Sequence, residues 1–151
     1  MKKGISLMYL VITIVVLTIL ASIIIINTQY MFVNTERAKL QIDISQVEAL
    51  MDTYKIRNNG NINFPTVAFD ISNLSTAELE QFDGETIVDE KIFLYIVDLE
   101  AIDGESSNFG NLELGSKDRY LYSLTTGKVY YEQGIEIDGT MYYYIKDGKV
   151  K

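Results

Sequence analysis

Four carboxylates crowd one glycine: Asp98, Glu100, Asp103 and Glu105 surround Gly104. Oxygen ligands at this density suit a hard cation such as calcium. An EF-hand loop, however, wants acids at its first, third and fifth places and a terminal glutamate, which is not this spacing. The four residues stand as calcium candidates, with a solvated acidic turn as the preferred reading. A pair of them at the right separation would also suit glycoside hydrolysis, but sequence fixes no separation and acidic pairs recur throughout this region. Cysteine and histidine are both absent. Disulfides, zinc sites built on Cys or His, and Cys–His or Ser–His–Asp catalysis are therefore excluded. No phosphate-cradling glycine loop is present. The expectation is a protein that is not an enzyme and needs no cofactor, calcium being the one ion considered.

Tyrosine is the other concentrated chemistry. Tyr122, Tyr130, Tyr131, Tyr142, Tyr143 and Tyr144 cluster toward the C-terminus. Such rings build cross-strand ladders or bind carbohydrate or protein, and β-propensity favours the first role. The strands that would hold them are legible after Lys91. Ile92–Leu99 is rich in β-branched and aromatic residues. Arg119–Leu124, Lys128–Glu132, Ile135–Ile137 and Thr140–Ile145 follow as short strands, parted by Thr126-Gly127, Gln133-Gly134 and Asp138-Gly139. Asp-Gly between alternating residues is the strongest short hairpin signal. Upstream, Phe64-Pro65 marks an extended or turning segment. Ser75-Thr76-Ala77-Glu78 has the capping-box form and opens a short helix ending near Phe82, and Asp83-Gly84 turns the chain again.

Before these strands the pattern is helical. Leu40, Ile44, Val47, Met51 and Tyr54 recur at spacings of four, three, four and three, a single helical stripe. No Gly or Pro interrupts Asn27 to Arg57, and Asn58-Asn59-Gly60 tolerates a left-handed cap. One continuous helix from about Ile5 to Arg57 is expected, roughly 80 Å long at 1.5 Å per residue. Its second half needs a cover for the stripe. Packing on the C-terminal sheet is preferred to a coiled-coil dimer, for which only about two heptads exist.

The first half is apolar all round. Ile5 to Ile26 runs without a charged side chain, long enough as a helix to cross about 30 Å of hydrocarbon. Its Ser6, Thr13, Thr18 and Ser22 hydroxyls can return hydrogen bonds to their own backbone. Lys2 and Lys3 precede it, and the positive-inside tendency puts them in the cytoplasm and the rest outside. A cleaved signal peptide would have a shorter apolar region and a small-x-small cleavage site. The expected organisation is a leader over 1–4, an anchoring and assembly segment over 5–26, an amphipathic helix over 27–57 and an outer domain over 61–151. Residues 61–151 hold seven Lys/Arg against seventeen Asp/Glu, a net charge of minus ten. That argues against nucleic acid and against an anionic membrane surface as partners of the outer domain.

A charged leader ending in glycine (Lys2-Lys3-Gly4), then Ile5-Ser6-Leu7 and an apolar run to Ile26, an amphipathic extension and an antiparallel sheet: in this order the chain resembles the type IV pilin and pseudopilin family. The likeness covers the whole chain in architecture and the first thirty or so residues in motif. It implies cleavage between Gly4 and Ile5 by a prepilin peptidase, methylation of the new amine, and assembly with like subunits. Ile5, Leu7, Tyr9, Leu10, Val11, Ile14, Leu17 and Leu20 would then face lipid or neighbouring helices. One position departs from the family. The glutamate five residues past the glycine is replaced by Tyr9, a residue without charge at neutral pH. In the family that carboxylate pairs with the amine of a neighbouring subunit, and some minor, tip-located members lack it. The kink-forming proline of many pilins is also absent.

The expected fold is an α+β lollipop, one long helix packing Leu40, Ile44, Val47, Met51 and Tyr54 on an antiparallel sheet. The expected function is a subunit of a surface filament or of a secretion or DNA-uptake pseudopilus. The alternatives are an unprocessed single-pass membrane protein whose acidic outer domain binds a ligand or partner, and a secreted carbohydrate-binding module using Tyr142–Tyr144.

Overall fold

The computed structural model describes residues 2–102 and 117–145; within the first helix it describes the side chains of 7–22 and those from 34 onward. The fold is α+β, a long N-terminal helix followed by antiparallel sheets. The chain divides into two compact units, Met1–Thr35 and Glu36–Lys151. Helix α1 spans Lys2–Arg57. Among the described residues no helix is long and apolar enough to cross a membrane.

The end of α1 is set by local chemistry. Asn59 adopts φ +53° and Gly60 φ +81°. The Gly60 amide donates to the Lys55 carbonyl at 2.7 Å and the Asn59 amide to that of Ile56 at 3.4 Å. These two bonds form a Schellman motif, closing carbonyls that the helix leaves open.

Beyond it lie β1 (Thr66–Asp70), α2 (Thr76–Leu79) running into a 3₁₀ turn (Glu80–Phe82), β2 (Ile87–Val88), β3 (Lys91–Ile96), β4 (Tyr120–Tyr122), β5 (Val129–Tyr131), β6 (Ile135–Ile137) and β7 (Thr140–Tyr142). The main sheet runs β1-β3-β4-β5, with β2 also on β3, and β6 and β7 form a separate hairpin. Strands β1 and β2 lie upstream of Lys91, where the sequence signals were the Phe64-Pro65 extension, a short helix and the Asp83-Gly84 turn rather than strands. Strand β3 stops three residues before Leu99, because the Asp98 carboxylate accepts from the Glu100 and Ala101 amides and turns the chain. Strand β7 stops at Tyr142, and the amides of Tyr143 and Tyr144 go to the Gln81 side chain instead.

The register assigns each side chain to a sheet face, since residues two apart share a side. Leu121 and Tyr130 are direct partners. With Ile92, Leu94, Ile71 and Phe82 they form an apolar core on one face. Tyr120, Tyr122, Val129 and Tyr131 are buried on the other. Here the second-unit part of α1 packs, with Leu40, Ile44, Val47 and Met51 buried.

Candidate functional site

Over residues 7–22 the side chains of α1 are mostly hydrocarbon and all are exposed, Leu7, Leu10, Val11, Ile14, Leu17 and Leu20 among them. Its hydroxyls face inward. Thr13 Oγ1 donates to the carbonyls of Tyr9 and Leu10, both at 2.9 Å. Thr18 Oγ1 donates to Ile14 at 2.9 Å and Val15 at 2.8 Å, and Ser22 Oγ to Thr18 at 2.8 Å. With those donors satisfied locally, the surface presented is nearly pure hydrocarbon. Tyr9, exposed on the same surface, is too long to return its hydroxyl in this way. In proteins generally, exposed apolar surfaces of this extent are where lipid or another chain binds. Gly4 and Ile5 fall within α1, and their side-chain surroundings lie outside the described residues.

In the second unit α1 meets the sheet through polar contacts set among the buried stripe. The Tyr120 hydroxyl donates to Asp43 Oδ2 at 2.9 Å, both residues being buried. Glu48 Oε1 accepts from the Val129 amide at 3.2 Å. Lys55 Nζ donates to the Tyr122 hydroxyl at 3.0 Å and lies 5.6 Å from the centre of its ring. That bond, aided by the charge of Asp52, raises the lysine pKa above its ordinary value against the opposing pull of burial. Tyr54 is half-buried and stacks on Phe64 with ring centres 4.9 Å apart.

Of the four calcium candidates, Asp98 and Glu100 are described, while Asp103 and Glu105 lie outside the described residues. Asp98 Oδ1 is engaged by the Glu100 amide at 3.0 Å and the Ala101 amide at 3.2 Å. Among the described residues no three His, Cys, Asp or Glu side chains converge as a metal site would need.

One carboxylate that sequence reasoning missed gathers three hydroxyl donors. Glu85 accepts from Ser123 Oγ at 2.6 Å, from Thr126 Oγ1 at 2.5 Å and from the Tyr130 hydroxyl at 2.7 Å. Burial first, and then this bond to a carboxylate, push the Tyr130 pKa well above its usual value. No spacing rule links residue 85 to 123, 126 and 130; only the pairing of β4 with β5 brings the three hydroxyls together. The arrangement ties the segment after the 3₁₀ turn to the β4–β5 hairpin.

The tyrosines divide by face. Tyr130 stacks on Phe82 at 4.7 Å and Tyr120 pairs with Tyr131 at 5.6 Å. Tyr142, Tyr143 and Tyr144 are half-buried. Tyr143 meets Phe69 edge-on at 5.3 Å, and Tyr144 lies 5.5 Å from Tyr130. Tyr130 lies in the core with Tyr143 and Tyr144 packed against it, and Tyr143 also lines a surface cavity with Phe69, Asp70, Lys117, Glu132 and Gln133.

No protein-family model matches the chain, and neither a curated protein nor a solved structure matches it.

Proposed function

We propose that the chain is a type IV pilin-like or pseudopilin subunit, not an enzyme, assembled into a surface filament or a secretion or DNA-uptake pseudopilus. In this reading a prepilin peptidase cuts after Gly4 and the apolar part of α1 holds the subunit in the cytoplasmic membrane. The N-terminus is inside and the C-terminus outside, and like subunits then draw α1 into a helical bundle. The observation that carries the reading is the exposed hydrocarbon surface over 7–22 with its hydroxyls turned back on the backbone. A helix apolar on every side needs surroundings apolar on every side, which lipid and a bundle of like helices both provide. Transfer from one to the other keeps hydrocarbon away from water throughout.

Mass spectrometry of the chain recovered from its host tests this. The expected species starts at Ile5 and carries a methyl group on its amine; a chain that retains Met1–Gly4 overturns the reading.

Tyr9 supports a second reading, a single-pass membrane protein that never leaves the bilayer. A buried amine without its carboxylate costs several kcal/mol, and Tyr9 offers no charge to pair with it. Mechanical shearing of cells separates the two: filament subunits enter the sheared fraction, whereas a retained anchor stays with the membranes. Under the filament reading, Tyr9→Glu raises the sheared fraction.

A further inference from the structure

Side chains close the backbone at several strand edges of this fold. Glu48 accepts from the Val129 amide of β5, Glu78 from the Met141 amide of β7, and Gln81 from the Tyr143 amide just beyond it. Strand β1 differs. It pairs with β3 alone, and among the described residues nothing bonds its other edge.

The pairing with β3 fixes which groups that edge presents. The Ile96 amide donates to the Pro65 carbonyl at 2.8 Å and the Ile71 amide to the Glu90 carbonyl at 3.0 Å. Bonded pairs recur at every second residue of an antiparallel ladder, so Val67 and Phe69 bond to β3. The backbone N–H and C=O of Thr66, Ala68 and Asp70 therefore turn outward. These residues are exposed, while Val67 and Phe69 are half-buried. Thr66–Asp70 holds neither the lysine nor the proline that commonly blunts such an edge.

The outward row is complementary to itself. About a two-fold axis at Ala68, Thr66 meets Asp70 of a second copy, Ala68 meets Ala68, and Asp70 meets Thr66. Each such pair can exchange two backbone hydrogen bonds, and no outward group of the strand is left over. A slip by one residue sets outward groups against inward ones, and a slip by two leaves an outward residue of each strand without a partner.

The side chains agree with this register. On one face the small Ala68 side chains lie at the centre. Each Asp70 stands between Lys91 of its own sheet and Thr66 of the second copy, so no like charges are directly opposed. Asp70 Oδ1 accepts from the Ser72 amide at 2.9 Å and the Ser72 hydroxyl at 2.6 Å, which leaves Oδ2 for the threonine hydroxyl. On the other face Val67 stands opposite Phe69 of the second copy, and aromatic with β-branched pairs stabilise a sheet.

We infer that two copies of this chain pair edge to edge through β1, antiparallel about a two-fold axis at Ala68, and join their main sheets into one. The inference rests on the assembly reading above and adds a contact outside the apolar helix. A five-residue strand edge buries far less than the roughly 1,200 Å² of a stable interface. The pairing therefore forms between copies that α1 already holds together, where the second contact behaves as an intramolecular one. It is isologous and closes on itself, so it couples subunits in twos.

Cysteine cross-linking of the full-length chain in its host membranes tests this, because the sequence contains no cysteine. In this register the Cα atoms of bonded partners lie about 5.5 Å apart, within disulfide reach, whereas Thr66 lies about 13 Å from its own image. Ala68→Cys is expected to give a disulfide-linked dimer. Thr66→Cys and Asp70→Cys should give none separately and should cross-link when co-expressed. Ala68→Pro removes an outward N–H and no bond to β3. It is expected to abolish the mixed product while leaving the urea midpoint, and the Leu10→Cys cross-link that reports association of the apolar helix, in place. Should the proline variant unfold, the cysteine pattern alone decides. A Leu10 product without an Ala68 product overturns the inference and leaves the assembly reading standing. Self-linking of Thr66→Cys and of Asp70→Cys, or a mixed product that survives the proline in a folded chain, does the same. Absence of both the Leu10 and the Ala68 product overturns both.

Discussion

Asp43 is a carboxylate at 1% exposure, and Tyr120 gives it a hydrogen bond across the helix–sheet boundary. Bonds to charged groups contribute about 1.5–3 kcal/mol, roughly twice a neutral one. Tyr120→Phe is expected to lower unfolding stability by about that amount, measured by urea denaturation of the full chain in detergent. Tyr122→Phe should cost about 1 kcal/mol or less, because its lysine partner is only partly buried, and exposed pairs contribute little. A second residue-scale effect is alkaline. Burial raises the pKa of Tyr130, and so does its bond to Glu85; burial and Asp118 do the same for Tyr131. An unfolded phenol ionises near pH 10, so the stability these groups confer is complete below about pH 10. Above that it falls by up to about 1.4 kcal/mol per pH unit for each group, until the folded pKa is reached. Tyr130→Phe should make the decline one group shallower in unfolding measured between pH 9 and about pH 11.

At the scale of elements, α2 is tied to β7 by side chains acting on backbone. Glu78 completes the capping box with Ser75, and its other oxygen accepts from the Met141 amide at 3.0 Å. The backbone amides of Ser75 and Met141 hold the Glu78 pKa below the ordinary glutamate value. The sign follows: its contribution is present above the unfolded pKa near 4.3 and is lost as pH falls through the lower folded value. Glu78→Gln should flatten that acid limb of the urea midpoint, and an unchanged limb would show that Glu78 does not set it. The capping box was legible because its two residues are local, and the same holds for the Asn59-Gly60 cap and for the Asp138-Gly139 turn, where both residues take positive φ. The β2–β3 turn was not. It places Asp89 at φ +49° and Glu90 at φ +59° between the paired Val88 and Lys91, a geometry that favours Asn-Gly or Asp-Gly. Two non-glycine residues there hid the hairpin from a reading based on turn residues. Glu90→Gly should relieve left-handed strain and, after the entropy cost of glycine, raise stability by about 0.5–1 kcal/mol in the same denaturation experiment. The Glu85 cluster was invisible for a different reason, since its parts meet only through strand pairing.

For the whole molecule the competition is between hydrocarbon and charge. Each chain carries a formal net charge of minus eight, with the acidic excess lying beyond residue 60. Copies brought side by side through α1 therefore repel through the residues beyond 60. An exposed ion pair contributes about 0–1 kcal/mol, too little to offset repulsion among many unpaired carboxylates. At about 0.01 M salt the screening length is about 30 Å, comparable with a small domain, whereas at about 0.15 M it is about 8 Å, close to contact distance. Burial of apolar surface has no such dependence at these concentrations. Raising salt across this range should therefore shift the full chain in detergent toward larger species, as read by sedimentation velocity. Salt that instead disperses pre-formed multimers would mean that charge attraction rather than the hydrocarbon of α1 holds the copies together, and the assembly reading would lose its driving force.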